Sequence, residues 1–212
     1  GSAGRAAAKS EDEFAEVPLD PQPVAPATQV SRAAVELESI AAMIISGDSQ
    51  IVFVASATDS RYATDFAERL SARVISGGLS VAEIDGATRQ PGSDLGLTDL
   101  CAGEADFGDI VHRSDDAQFA YVPWGQSPAL RRSPEKMRTL VDALSDIYEA
   151  VIIVTGKVGV TSTLPLFGGG GACVLVSEEP ATAADTIAEI EVLGLSPVHV
   201  VGAQTMRSED VA

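Results

Sequence analysis

The chain has 212 residues and a mass of 21.8 kDa, the size of one domain with its own core. Acidic residues outnumber basic ones 31 to 14, for a formal net charge of -17; such a surface repels phosphate backbones and anionic headgroups, so nucleic acid is not an expected partner. Hydrophobic residues make up 45%, which fits a folded acidic domain and not a disordered polyanion. Cys101 and Cys173 form no CxxC pair, and with only two histidines a zinc site or a disulfide framework is not expected; a reduced, cytosolic setting fits best. No apolar run approaches the roughly 18 residues of a membrane span, and the start lacks a signal-peptide core.

Residues 1–30 mix Pro18, Pro21, Pro23 and Pro26 with the acids Glu11, Asp12, Glu13 and Glu16, and read as a disordered linker; Gly1-Ser2 has the composition of a cloning scar. From Ser31 the spacing of Ala33, Leu37, Ile40, Ala41 and Ile44 predicts a helix that Gly47 and Asp48 stop. Short, nearly continuous apolar runs then predict six strands: 51–55, 81–84, 119–122, 151–154, 173–176 and 198–201. Strands of this kind are covered on both faces, as in a parallel sheet. A helix over 134–148 is marked by Ser133 as cap, Pro134 at the first position and a stripe of Met137, Leu140, Val141, Leu144 and Ile147. Another is expected from about Thr182 to Leu193, with Ile187, Ile190 and Leu193 inward and Gly194 ending it. The alternation predicts a doubly wound, mainly parallel α/β domain over 31–205 with right-handed crossovers, followed by a flexible tail at 206–212. Ligands of such sheets bind beyond the carboxyl ends of the strands, which directs attention to the loops after Ala55, Ile84 and Val154.

The segments IVFVASATDSRYATDFAERL, VAEIDGATRQP, GLTDLCAGEADFGDIVH, FAYVPWGQSP, RRSPEKMRTLVDALSDIYEAVIIVT and GACVLVSE, in this order over residues 31–205, resemble the cytoplasmic domain of bacterial tyrosine kinases. That group belongs to the exopolysaccharide co-polymerases, among them the succinoglycan-type chain-length and transport proteins, and to the MinD/ParA-like branch of P-loop NTPases. The resemblance implies a P-loop NTPase-like fold, an inner-membrane parent protein with this domain on its cytoplasmic face, and other subunits of the polysaccharide machinery, or further copies of itself, as partners. Membrane contact would then run only through segments outside these 212 residues.

The loops depart from what the resemblance implies for catalysis. A phosphate loop needs glycines whose backbone N–H groups close around the phosphates, a lysine for their charge and a Ser/Thr hydroxyl for magnesium. Against the pattern GxGK[ST][ST] this chain has Asp59, Ser60, Arg61, Tyr62, Ala63 and Thr64: two glycines, the lysine and the metal-binding hydroxyl are replaced, and Thr64 alone is kept. A carboxylate at Asp59 about 4 Å from a phosphate charge would be repelled by roughly 4 kcal/mol at an effective dielectric near 20. In the second loop Asp85, Arg89 and Pro91 match IDxDxRxP, but Ala87 stands for the second aspartate; Asp85 is more readily a loop or cap partner than a metal ligand. In the third, Val154 stands where the pattern VIIDTPP has its aspartate. No catalytic residue and no metal site is expected, and no bound cofactor; Thr64, Asp85 and Arg89 are vestiges of a nucleotide site.

Gly156-Lys157 lacks both flanks of a phosphate motif, and the glycine run 168–171 reads as a flexible loop. His112 and His199 read as surface or packed histidines. The chain has no tyrosine after Tyr148 and only Arg32 in the helix where resembling kinases carry spaced arginines. The reading that follows is a pseudokinase-like regulatory or interaction domain. Two rivals stand beside it: a divergent NTPase or kinase using ATP and magnesium through Asp85, Arg89, Thr64 and Lys157, and a degenerate MinD/ParA-like partitioning protein.

Overall fold

The computed structural model describes the backbone of residues 27–203 and side chains from residue 36. The expected linker (1–30) lies outside that range up to residue 26, and the expected tail (206–212) lies outside it entirely. Helix α1 (Ala27–Ile45) begins four residues before Ser31. It leads into β1 (Ile51–Ser56), α2 (Ser60–Ser76), β2 (Val81–Asp85), the short helices α3 (Leu97–Ala102) and α4 (Phe107–Ile110), β3 (His112–Arg113) and β4 (Phe119–Val122). Then follow α5 (Pro134–Ile147), β5 (Ala150–Lys157), α6 (Leu164–Phe167), β6 (Ala172–Ser177), α7 (Ala184–Val192) and β7 (Val198–Gly202).

All six expected strands form, in a seven-stranded sheet of order β3-β4-β2-β5-β1-β6-β7. Every pairing is parallel except β3 with β4. β3 is the strand not foreseen: two exposed residues on an edge carry no apolar pattern. It also replaces one expected crossover, because the chain reaches β4 through a hairpin from β3.

Both faces of the central strands are dry. Val52, Val54, Ile152, Val154, Val174 and Val176 pack under α1 and α2. Phe53, Ala55, Val151, Ile153, Cys173 and Leu175 pack on the opposite face with α3, α5 and α6. Burial on both sides is why these strands read as continuous apolar runs.

Three local expectations change. Ile147 is 60% exposed, because Tyr148, four residues after Leu144, takes the inward place and is buried. Ser133 makes no side-chain cap; only its carbonyl accepts, from Met137 N at 3.2 Å. α7 is shorter than predicted, with a separate turn of 3-10 helix at Pro180–Thr182 before it; Ile190 is buried, while Ile187 and Leu193 are half-buried against the same core. The glycine run is a loop, exposed at Gly169 and Gly170, that packs closely only at its end, where a Cβ on Gly171 would stand 2.8 Å from the Ile51 carbonyl.

Candidate functional site

The carboxyl ends of β1, β2, β5 and β6 gather the loops singled out in the sequence. Only Ala57, Thr58 and Asp59 separate β1 from α2. Asp59 is extended (φ -99, ψ 124) and caps the helix, its Oδ1 accepting from Arg61 N at 2.9 Å. The Arg61 guanidinium returns onto the same carboxylate, Nη2 to Oδ2 at 2.7 Å. These hydrogen bonds, and after them the charge of Arg61, hold the Asp59 carboxyl below the usual range. The pair is solvent-exposed, so it adds little stability. Its importance is positional. A helix N-terminus offers free N–H groups to an anion, and here the chain's own carboxylate takes that place.

The remaining loop residues are engaged internally as well. Tyr62 donates its hydroxyl proton to Glu178 Oε1 at 2.6 Å, tying α2 to the loop after β6. Ser60 Oγ accepts from Lys157 N at 3.1 Å, which fastens the start of α2 to the end of β5. Ala63 is buried. A cavity of about 350 Å³ adjoins this junction, lined among others by Thr58, Ser177, Glu178 and Glu179; its two acids repel an anion.

Asp85 is 6% exposed and its carboxylate is committed to its own loop. Oδ1 accepts from Ala87 N at 2.9 Å and Thr88 N at 3.0 Å, and Oδ2 from Thr88 Oγ1 at 2.6 Å. Beside it across the β2–β5 pair lies Val154, 2% exposed and part of the apolar core. Arg89 has φ +54; its Nη2 donates to the Thr161 carbonyl and its guanidinium lies 5.9 Å from the centre of the Trp124 ring. Of the three vestigial residues, Thr64 and Asp85 line a common cleft, while Arg89 is drawn away to Thr161 and Trp124. Lys157 meets the α2 junction through its backbone N–H.

Magnesium and a triphosphate do not fit these residues. The Asp59 carboxylate occupies the cap of α2, Tyr62 replaces a cation by a phenol bonded to an acid, Asp85 has its lone pairs taken, and Val154 has none to give. Among the described residues no cluster of three or more His, Cys, Asp or Glu could hold a metal ion.

The segments GLTDLCAGEADF and VPWGQSP turn out to form one packed junction. Asp99 is 2% exposed and its Oδ2 accepts from Gly96 N at 2.9 Å and Gln126 N at 3.0 Å, so it clamps the start of α3 to the loop after β4. Thr98 Oγ1 accepts from Ser127 N at 3.2 Å, and Gly125 (φ +117) leaves no room for a Cβ beside Thr98. His112 binds the Leu95 carbonyl through Nε2 at 2.9 Å on the edge strand, and His199 is half-buried within β7. Neither histidine approaches the loops described above through a hydrogen bond.

No family model matches the sequence, and no curated protein matches it. The fold has clear likenesses. The BceF tyrosine kinase domain superposes with a TM-score of 0.62 at 18% identity, covering 79% of this chain and 76% of that one. The kinase domain of the Escherichia coli tyrosine kinase ETK gives 0.62 at 17%, covering 82% and 75%. The septum site-determining protein MinD from Pyrococcus horikoshii, complexed with Mg-ADP, gives 0.55 at 19%, covering 71% and 67%. The chain therefore has the P-loop NTPase-type α/β fold. More particularly, it has the version of that fold found in bacterial tyrosine kinase domains and MinD-like ATPases.

Proposed function

We propose that this chain is a non-catalytic, pseudokinase-like domain that regulates or docks other proteins at the cytoplasmic face of the bacterial inner membrane. Its parent would be an exopolysaccharide co-polymerase concerned with polymer length or export. Its partners would be other subunits of that machinery or further copies of itself. The observation that carries the reading is the Asp59 carboxylate seated on the α2 N-terminus, with its Arg61 partner built in. The fold likeness to tyrosine kinase domains supports the choice of setting.

A thermal-shift titration with ATP and magnesium tests it, because a ligand that binds only the native state raises its melting temperature. No shift is expected. A saturable shift, confirmed by calorimetry at micromolar affinity, would overturn the reading in favour of a divergent NTPase. The observation on that side is that Thr64 and Asp85 share a cleft. In that case Asp85→Ala should abolish turnover.

A further inference from the structure

The face of the sheet beneath α1 and α2 is covered unevenly. α2 lies mainly over β1 and β5. β2 is buried but less closely covered by α2, and β4, the next strand toward the edge, is left partly open on this side. On β4 the two residues directed to this face, Phe119 and Tyr121, are half-buried, whereas Ala120 and Val122 on the other face are fully covered. β3, beyond β4, is only two residues long. The gap is a cleft of about 550 Å³, within the range of sites that take a ligand group.

Its lining has a definite chemistry. Glu68 and Ser71 come from α2, Glu83 and Asp85 from β2, Phe119 and Tyr121 from β4, and neither a lysine nor an arginine lines it. The two rings lie nearly parallel, 20° apart with centroids 6.4 Å from each other. Glu83 sits in an otherwise apolar strand, 5% exposed, and its Oε2 accepts from Ser71 Oγ at 2.7 Å. Its Oε1 has no hydrogen-bond donor among the described residues. A carboxylate with acceptor capacity left over beside two aromatic rings suits a planar cation, which can donate in its plane and pack against aromatic carbon.

We propose that this cleft receives an arginine side chain presented by a basic segment of a partner protein. Charge complementarity selects the occupant: three carboxylates and two aromatic side chains line the cleft, in a chain of net charge -17 that draws basic segments toward it. The open sheet edge lets an extended segment cross the cleft while one side chain enters. Burial pushes the Glu83 carboxyl up to about 7, and the ionisable groups facing it are Glu68, Asp85 and Tyr121. An entering guanidinium favours the ionised form, so binding should strengthen as the pH rises from about 6 to about 8. This deepens the docking role proposed above by naming what docks, and rests on that role only for its biological meaning.

The test is an NMR titration of the whole isotope-labelled chain with the peptide Ac-Gly-Arg-Arg-Gly-NH2, beside its citrulline counterpart, which keeps the shape without the charge. Saturable shifts at Ser71, Glu83 and Tyr121 with the arginine peptide alone are expected. Glu83→Gln, and the exposed and fold-neutral Glu68→Gln, should each weaken binding about fivefold or more, roughly the loss of one charge-assisted contact. Absence of shifts, equal shifts with citrulline, or an unchanged affinity in both variants would overturn the proposal. So would free spermidine binding as tightly, since the cleft would then be a small-amine site. ATP titration is a separate measurement, so failure here leaves the non-catalytic reading standing, and the reverse also holds.

Discussion

Two aspartates at helix starts, Asp59 at the cap of α2 and Asp99 in the first turn of α3, behave in opposite ways. Asp59 at the start of α2 is exposed and serves its own turn through Arg61 N and the Arg61 side chain. Asp99 in the first turn of α3 is buried and joins Gly96 to Gln126 across the chain. The first takes a place that a ligand could occupy without holding distant elements together. The second holds distant elements together. The contrast separates an acid that serves only its own helix start from one that fixes a junction of the fold.

Substitutions at the two starts should separate these roles, beginning with the largest effect. Gly125→Ala forces a Cβ against Thr98 at a positive φ, and Asp99→Ala strands one buried and one part-buried N–H; each should cost about 2–4 kcal/mol, read as a fall in the denaturation midpoint at unchanged slope. An effect under about 1 kcal/mol in both would break the contrast.

Glu83 sharpens it, as a buried acid with a single hydroxyl donor in place of two backbone amides. Its folded pKa of about 7 lies above the ordinary value of 4.5, so the folded state keeps a proton that the unfolded state has lost. Stability from this group is intact below the unfolded value and is lost as the pH rises toward the folded one. Glu83→Gln should leave stability nearly unchanged at pH 4 and raise it by roughly 2–3 kcal/mol at pH 8, measured by denaturation across that range.

The smallest effect belongs to α2. Asp59→Ala removes an exposed cap and should cost about 1 kcal/mol in the same assay. It should not restore ATP binding, because Tyr62 and Val154 remain. Gain of magnesium-dependent binding in that single variant would make the carboxylate the sole barrier.

The central strands were legible because burial on both faces leaves a one-dimensional mark, and α5 because Met137, Leu140, Val141 and Leu144 repeat at helical spacing. β3 left no mark, being two exposed residues on an edge. The altered residues 59–64 were visible as departures from a pattern. The sequence led to an expectation of charge repulsion at Asp59, and the structure places Arg61 on that carboxylate, so occupancy of the helix cap matters more than the charge. The Asp99 clamp spans 27 residues to Gln126 and depends on tertiary approach that no local spacing encodes. Glu83 did leave a trace, a lone acid inside VAEID flanked by apolar residues, which is the kind of position where a buried carboxylate calls for an explanation.

The bond from Tyr62 to Glu178 has a consequence for movement. Domains that run on a nucleotide cycle need the segment at the start of this helix to let go of its neighbours and take hold again as the phosphates change. Here the phenol and the carboxylate latch α2 to the loop after β6 across 116 residues of sequence. On the non-catalytic reading we propose, such a latch would leave timing to the molecules that dock on the domain.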